Sequence, residues 1–167
     1  ISLNKLNQNF NPTDGYRFTF SQELPLVSED YTLVNKINYT KYLESKGGKI
    51  FSFGIFTASA NSFTNDDARI TKRIFIPSRK LRGFDISRVG PKDGEDWVGG
   101  NYTSAITAEA QLPNLLPEAY RTDVSVFLDT GNVWSVDYND SIDDSNKIRS
   151  AFGLSANVFT TIGPLSF

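Results

Sequence analysis

Apolar and polar residues alternate with a period of two through most of this chain, and that period points to strands rather than helices. Tyr16, Phe18 and Phe20 stand against Arg17, Thr19 and Ser21. Tyr31, Leu33, Ile37 and Tyr39 oppose Thr32, Lys36, Asn38 and Thr40, and Phe51, Phe53 and Ile55 oppose Ser52 and Gly54. The pattern returns at 102–112, where Ile106, Ala108, Ala110 and Leu112 oppose Ala105, Thr107, Glu109 and Gln111. At 121–134, Val124, Val126 and Leu128 face away from Asp123, Ser125, Phe127 and Asp129. Ile148, Phe152, Leu154 and Val158 then oppose Arg149, Ala151, Gly153, Ser155 and Asn157. Only 39% of the 167 residues are hydrophobic, yet 13% are aromatic. So polar a chain with so many rings suits strands with one greasy face.

The connections alternate in length. Asn11-Pro12-Thr13-Asp14-Gly15 and Lys46-Gly47-Gly48-Lys49 are tight turns. Residues 61–101 and the acidic stretch 137–146 are long. Short turns on one rim and long loops on the other mark an up-and-down outer-membrane barrel. The expected fold is therefore all-β, a partial antiparallel up-and-down transmembrane β-barrel. A soluble sheet with its greasy face against a second sheet gives the same alternation, so a soluble adhesin or binding module stays open. No run of about 18 apolar residues offers a membrane helix, which does not bear on a barrel.

Charge and composition narrow the chemistry. A formal net charge of −2 gives no field for nucleic acid. Cys, His and Met are absent. That removes thiol chemistry, His-based triads and the usual zinc sites. Neither an enzyme nor a cofactor is expected. The chain opens on Ile1 in strand-like sequence and reads as a piece of something larger.

Residues 76–101 hold the densest set of unusual choices, with Arg82-Gly83-Phe84 at their heart. A connection beyond about a dozen residues usually has a job or is disordered, and repeated glycines here argue for defined bends. On the residues alone, Arg82 reads first as a solvated surface arginine in an ordinary loop. Gly99-Gly100-Asn101 reads as the end of the loop, since a phosphate cradle needs a helix that is missing. Arg69, Lys72, Arg73, Arg79, Lys80 and Arg88 make the loop basic, either a solvated cluster or a contact for lipopolysaccharide or carboxylates. Glu109 and Asp129 on separate strands give no support for a paired-carboxylate hydrolase. Asp137, Asp140, Asp143 and Asp144 lack the EF-hand spacing and read as an exposed acidic loop.

Several motifs recur in one order. Leu81-Arg82-Gly83-Phe84 is followed by Gly90-Pro91-Lys92, Gly99-Gly100-Asn101, and Glu109 in a strand ending Leu112-Pro113. Phe127-Leu128-Asp129-Thr130-Gly131-Asn132-Val133-Trp134 and Gly163-Pro164-Leu165 come next; Asn4-Lys5-Leu6 and the turn at 11–15 lie upstream. In these the chain resembles the BamA family of outer-membrane protein assembly factors, across nearly its whole length.

The resemblance implies roughly the second half of a barrel of about sixteen strands, from the end of the eighth to the start of the fifteenth. It implies that the loop at about 61–101 is extracellular and folds into the lumen. Arg82 would meet Glu109 and Asp129 on the inner wall, Gly83 would permit the bend, and Phe84 would wedge the loop. Trp134 and Tyr138 would belong to the interfacial aromatic girdle, with Pro113 and Pro117 on the periplasmic rim. The implied function is folding and inserting β-barrel proteins into the bacterial outer membrane. The implied partners are the bilayer with its lipopolysaccharide, unfolded outer-membrane clients, and accessory lipoproteins bound through regions absent here. A two-partner-secretion transporter, which shares an Arg-Gly-Phe loop, is the alternative.

Overall fold

The computed structural model describes residues 1–25, 31–64, 67–112, 115–117, 122–160 and 163–166. Ser28, Glu29, Asp30, Pro113, Thr161, Ile162 and Phe167 lie outside the described residues. The strands are β1 (Ser2–Leu6), β2 (Gly15–Glu23), β3 (Thr32–Glu44), β4 (Ile50–Ser62), β5 (Lys92–Asp93), β6 (Asp96–Trp97), β7 (Tyr102–Leu112), β8 (Thr122–Trp134), β9 (Arg149–Thr160) and β10 (Gly163–Ser166). Eight of them form one sheet in the order β1-β2-β3-β4-β7-β8-β9-β10, while β5 and β6 pair alone. Every pairing is antiparallel between strands that follow one another in the sheet. This is an up-and-down meander, the only simple path when each strand returns beside its predecessor.

Turn chemistry sets the register on the tight rim. Asn7 folds its side chain across the β1–β2 turn: its carbonyl accepts from Thr13 N and Asp14 N, each at 3.2 Å. Gly15 follows at φ +103°, where a Cβ would meet the Lys5 carbonyl. Register then decides which side chains share a face, since one slip turns the whole set over. Tyr42, Ser52, Glu109, Phe127 and Gly153 form one cross-strand row. Thr40, Gly54, Thr107, Asp129 and Ala151 form the next, and Asn38, Phe56, Ala105, Gly131 and Arg149 the one beyond.

Residues 67–101 of the connection lie on that face. An isolated bridge pairs Ile74 with Gly100, a 3-10 turn occupies Ser78–Lys80, and Gly94 tips the β5–β6 hairpin. Ile74, Ile76, Leu81 and Val89 from the loop pack with Val34, Phe56, Ala58, Ala60, Ala105 and Val133 from the strands. Each Val, Leu, Ile or Phe among them, taken wholly from water, contributes on the order of 1.5–3 kcal/mol.

The opposite face is bare. Phe152 is 78% exposed, Leu154 70% and Leu128 52%. A water-soluble module would cover residues of that kind; hydrocarbon covers them at no cost. The covered face departs from the expectation of a polar wall, because near the long-loop rim it is small and apolar. The signal is present in β4, where the apolar residues switch parity from Phe51, Phe53 and Ile55 to Phe56, Ala58 and Ala60.

Leu81→Ala in the intact protein is expected to lower the unfolding free energy by about 2–5 kcal/mol and to open 63–101 to trypsin. Leu128→Ala, on the bare face, should leave the tryptic pattern unchanged. Denaturant titration and limited proteolysis check both.

Candidate functional site

Arg82 follows the 3-10 turn and is introduced by Leu81, which is 1% exposed in the loop core. Its guanidinium lies against β7 and β8. Nε donates to Asp129 Oδ2 at 2.7 Å and Nη2 to Asp129 Oδ1 at 2.9 Å. Nη1 donates to Glu109 Oε2 at 2.6 Å, and the Arg82 backbone N–H donates to Asp129 Oδ2 at 3.0 Å. Asp129 thus accepts three N–H groups while 0% exposed, the condition under which a buried carboxylate is tolerated. Two parallel bonds to its two oxygens form the fork geometry peculiar to arginine.

The register explains how one guanidinium reaches both acids. Glu109 sits opposite Phe127, and Asp129 opposite Thr107, so the carboxylates are diagonal neighbours one row apart. Diagonal neighbours stand roughly 7–8 Å apart at the backbone, far enough to limit repulsion and close enough to share one cation. Between them the Phe127 ring lies under the guanidinium, its centroid 3.8 Å from Cζ. Ser125 Oγ, itself buried, donates to Glu109 Oε1 at 2.6 Å and fixes that carboxylate.

Phe127 lies flat because its partner across β9 is Gly153, where a Cβ would come within 2.8 Å of the ring. Gly83 stands at φ +83° with room for a Cβ only 3.4 Å from that of Ala151. Left-handed backbone beside a close wall calls for glycine. Phe84 is partly buried against the loop core. Burial alone would lower the Arg82 pKa, but hydrogen bonds and charge from Asp129 and Glu109 more than reverse this, so the group is held above its ordinary value. Burial and the neighbouring Arg79 push the Lys80 ammonium down, against Asp129, while its Nζ donates to Asn38 Oδ1 at 2.7 Å. A cavity of about 780 Å³ opens below, lined by Tyr42, Arg79, Arg82, Glu109, Phe127 and Asn157 among others.

Gly99, Gly100 and Asn101 return the loop to the sheet. Ala60 N donates to the Asn101 carbonyl at 2.7 Å, and Asn101 N donates to the Ser135 carbonyl at 2.7 Å. A Cβ on Gly100 would collide with the Trp134 backbone.

Other groups carry more structure than the sequence disclosed. Tyr138 does not join Trp134 on the bare face: its hydroxyl donates to Asp93 Oδ2 at 3.0 Å and its ring lies 4.6 Å below the Arg73 guanidinium. Arg73, with a side chain only 6% exposed, also faces Asp137 at 3.6 Å. The acidic loop is not simply solvated. Asp144 is 2% exposed, pairs with Arg149 at 2.6 Å, and its carbonyl accepts from Asn132 Nδ2 at 2.6 Å. Arg149, at the loop's exit, was the available sign that one of those acids would be paired. Asp143 accepts from Ser135 N at 2.8 Å. Burial pushes that carboxyl up, but hydrogen bonds from Ser145 and nearby backbone outweigh it and hold it below the ordinary carboxylate value.

Comparison with known proteins decides the family. The Omp85 superfamily domain matches residues 1–167, the whole chain. The chain belongs to the Omp85 superfamily. It is similar to the "Outer membrane protein assembly factor BamA" of Neorickettsia risticii (strain Illinois), with 29% identity over 92% of this chain and 21% of that protein. Among solved structures it is similar to BamA from Haemophilus ducreyi lacking POTRA domains 1-3, with a TM-score of 0.86 at 23% identity. That match covers 99% of this chain and 36% of the other. The chain thus spans about a fifth of the curated relative's length and has the fold of a segment of the BamA barrel.

Asp129→Ala leaves the Arg82 guanidinium facing water and one acid, and is expected to cost about 3–5 kcal/mol as a broken buried pair. Glu109→Gln keeps an acceptor and should cost less; equal losses in denaturant titrations would refute the ranking. For Asp143 the folded value lies below the unfolded one. Its contribution is therefore full above about pH 4 and is lost as pH falls through the lower folded value. Amide exchange at 135–146 should accelerate only in acid, and Asp143→Asn should abolish that step.

Proposed function

We propose that this chain is a segment of an outer-membrane barrel that folds and inserts other β-barrel proteins. The similarity to a protein named as an outer membrane protein assembly factor, over 92% of this chain, is the observation that carries the reading. The bare apolar face and the loop on the opposite face support it, since a barrel in lipid needs the first, and the second fills a lumen. Its site is the bacterial outer membrane, where the bare face would meet the bilayer and its lipopolysaccharide.

The mechanism makes and breaks no covalent bond. Client strands would pair by their backbones with an openable edge of the barrel, which is strand addition. Unfolded outer-membrane proteins are then the clients, and accessory lipoproteins would dock through regions outside this chain. Within the segment, Arg82 with Gly83 and Phe84 would brace the lumen against Glu109 and Asp129. Gly99, Gly100 and Asn101 would tie off the loop. A two-partner-secretion transporter shares the Arg-Gly-Phe loop, and the named relative favours the assembly factor over it.

Arg82→Ala in the full-length protein is expected to weaken the compact, heat-modifiable form of the barrel and to slow client insertion into vesicles. Arg82→Lys, which keeps charge without the fork, should fall between the two. Normal heat-modifiability together with normal client insertion in Arg82→Ala would overturn the bracing role. Failure of the unaltered protein to insert any β-barrel client would overturn the function itself.

A further inference from the structure

At the tight rim, three neighbouring strands set three polar side chains side by side on the bare face. Lys5 of β1 pairs with Tyr16 of β2, and Tyr16 with Lys41 of β3. The row continues to Phe53, 42% exposed, which fixes its side of the sheet. Lys5, Tyr16 and Lys41 are all exposed. Among the described residues neither ammonium has a carboxylate partner, and the Tyr16 hydroxyl meets no acceptor. Lys36, also on β3, differs: it turns to the covered face and binds Glu23 at 3.2 Å.

The turn sets their depth. Leu6 and Gly15 are the last pair of β1 and β2, so Lys5 and Tyr16 stand one residue, about 3.4 Å, from the end of the sheet. Beyond them Asn7 accepts from Thr13 N and Asp14 N, a polar loop that hydrocarbon excludes. Tyr42 is the last β3 residue paired with β2, one past Lys41. On the β4 side Leu43 and Phe51 carry the apolar wall one row further, and the flexible stem of Lys41 brings its ammonium past them. Lys46 and Lys49, exposed in the next turn, add unpaired cations at the same rim. Of the nearby acids, Asp14 lies in the turn itself and Glu44, opposite Ile50, on the covered face.

Paired residues on adjacent strands hold their Cβ atoms about 4.5–5.5 Å apart, which puts the two lysines roughly 10 Å apart across the tyrosine. An interfacial aromatic belt accounts for Tyr16 and Tyr39, whose ring centroids lie 6.2 Å apart. It does not account for two like charges flanking Tyr16 on the lipid side, where a cation is costly until it nears the interface. An anion seated over the Tyr16 hydroxyl meets both ammoniums and the phenol as donors. On the same face, Leu3 pairs with Phe18 in the adjoining row and Phe20 follows, an apolar strip beside the charges. A free anion gains nothing from that strip. An amphipathic anion gains from both.

We propose that Lys5, Tyr16 and Lys41 hold the phosphate of an anionic phospholipid, with its acyl chains along Leu3, Phe18 and Phe20. The proposal rests on the membrane-barrel reading above. It places a phosphodiester lipid in the leaflet at the tight rim, the side away from the long loops and from lipopolysaccharide.

The test uses the full-length protein in phosphatidylcholine nanodiscs containing a minor fraction of phosphatidylglycerol, with bound lipid counted by native mass spectrometry. The expected result is enrichment of phosphatidylglycerol over its bulk share. Most of that enrichment should be lost when Lys5→Gln and Lys41→Gln are combined, kept when both become arginine, and unchanged in Lys36→Gln. No enrichment in the unaltered protein, enrichment that survives the paired glutamines, or an equal loss in Lys36→Gln would each overturn it. Displacement of the lipid by inorganic phosphate would overturn it in favour of a free-anion site. A protein that does not embed in the nanodisc at all would overturn the barrel reading as well, and is seen separately by its loss of heat-modifiability.

Discussion

A guanidinium drawn away from water needs acceptors in its own plane, and the wall beneath residue 82 is spaced to supply them. Adjacent strands β7 and β8 contribute one acid each, offset by a single row, so Glu109 and Asp129 meet different edges of the same cation. Phe127, directly opposite Glu109 and two residues before Asp129 on β8, offers the negative face of its ring. That ring in turn needs Gly153 opposite, and Glu109 needs Ser125. Residues from the loop and three strands therefore depend on one charge. Such an arrangement adds little net stability over an apolar filling, but it admits only one placement of the loop.

The loop can be held this way because each long strand serves two environments. Toward the tight rim, strands β4, β7 and β8 turn apolar residues outward and polar ones inward. Toward the long-loop rim, β4 and β8 invert, with Phe56, Ala58, Ala60, Gly131 and Val133 inward. The loop's own Ile74, Ile76, Leu81 and Val89 require a dry surface, and small wall residues let a chain come close. The Arg82 cluster sits at the change between the two bands, where the wall is again polar enough to solvate charge. Apolar packing thus sets the depth of the loop, and the ion cluster sets its rotation.

Strand positions were legible because period two is a local property, readable at Phe51-Ser52-Phe53 without any knowledge of partners. The covered side of the sheet was harder. Phe56, Ala58 and Ala60 alternate as cleanly as Phe51 and Phe53, and only their switch of parity shows that a second apolar body lies inside. Asp129 and Glu109 could be placed on the polar face by parity, but the diagonal offset depends on the register of two strands separated by the 113–121 connection. Tyr138 and Asp144 were misjudged for one reason. Loop residues carry no period, so the sequence does not reveal that Asp93 and Arg149 return to meet them.

A barrel that admits new strands has to loosen one seam while the rest of the wall keeps its curvature. Neighbouring strands of a sheet can shear past one another, since every register satisfies the backbone equally. Side-chain contacts that cross several strands remove that freedom. The Arg82 cluster ties β7, β8 and β9 through Glu109, Asp129, Phe127 and Gly153, and the loop core ties β3, β4, β7 and β8. On the proposed function, this segment supplies the fixed part of the wall, against which an edge elsewhere opens. Its contribution is rigidity across strands, which backbone pairing alone does not provide.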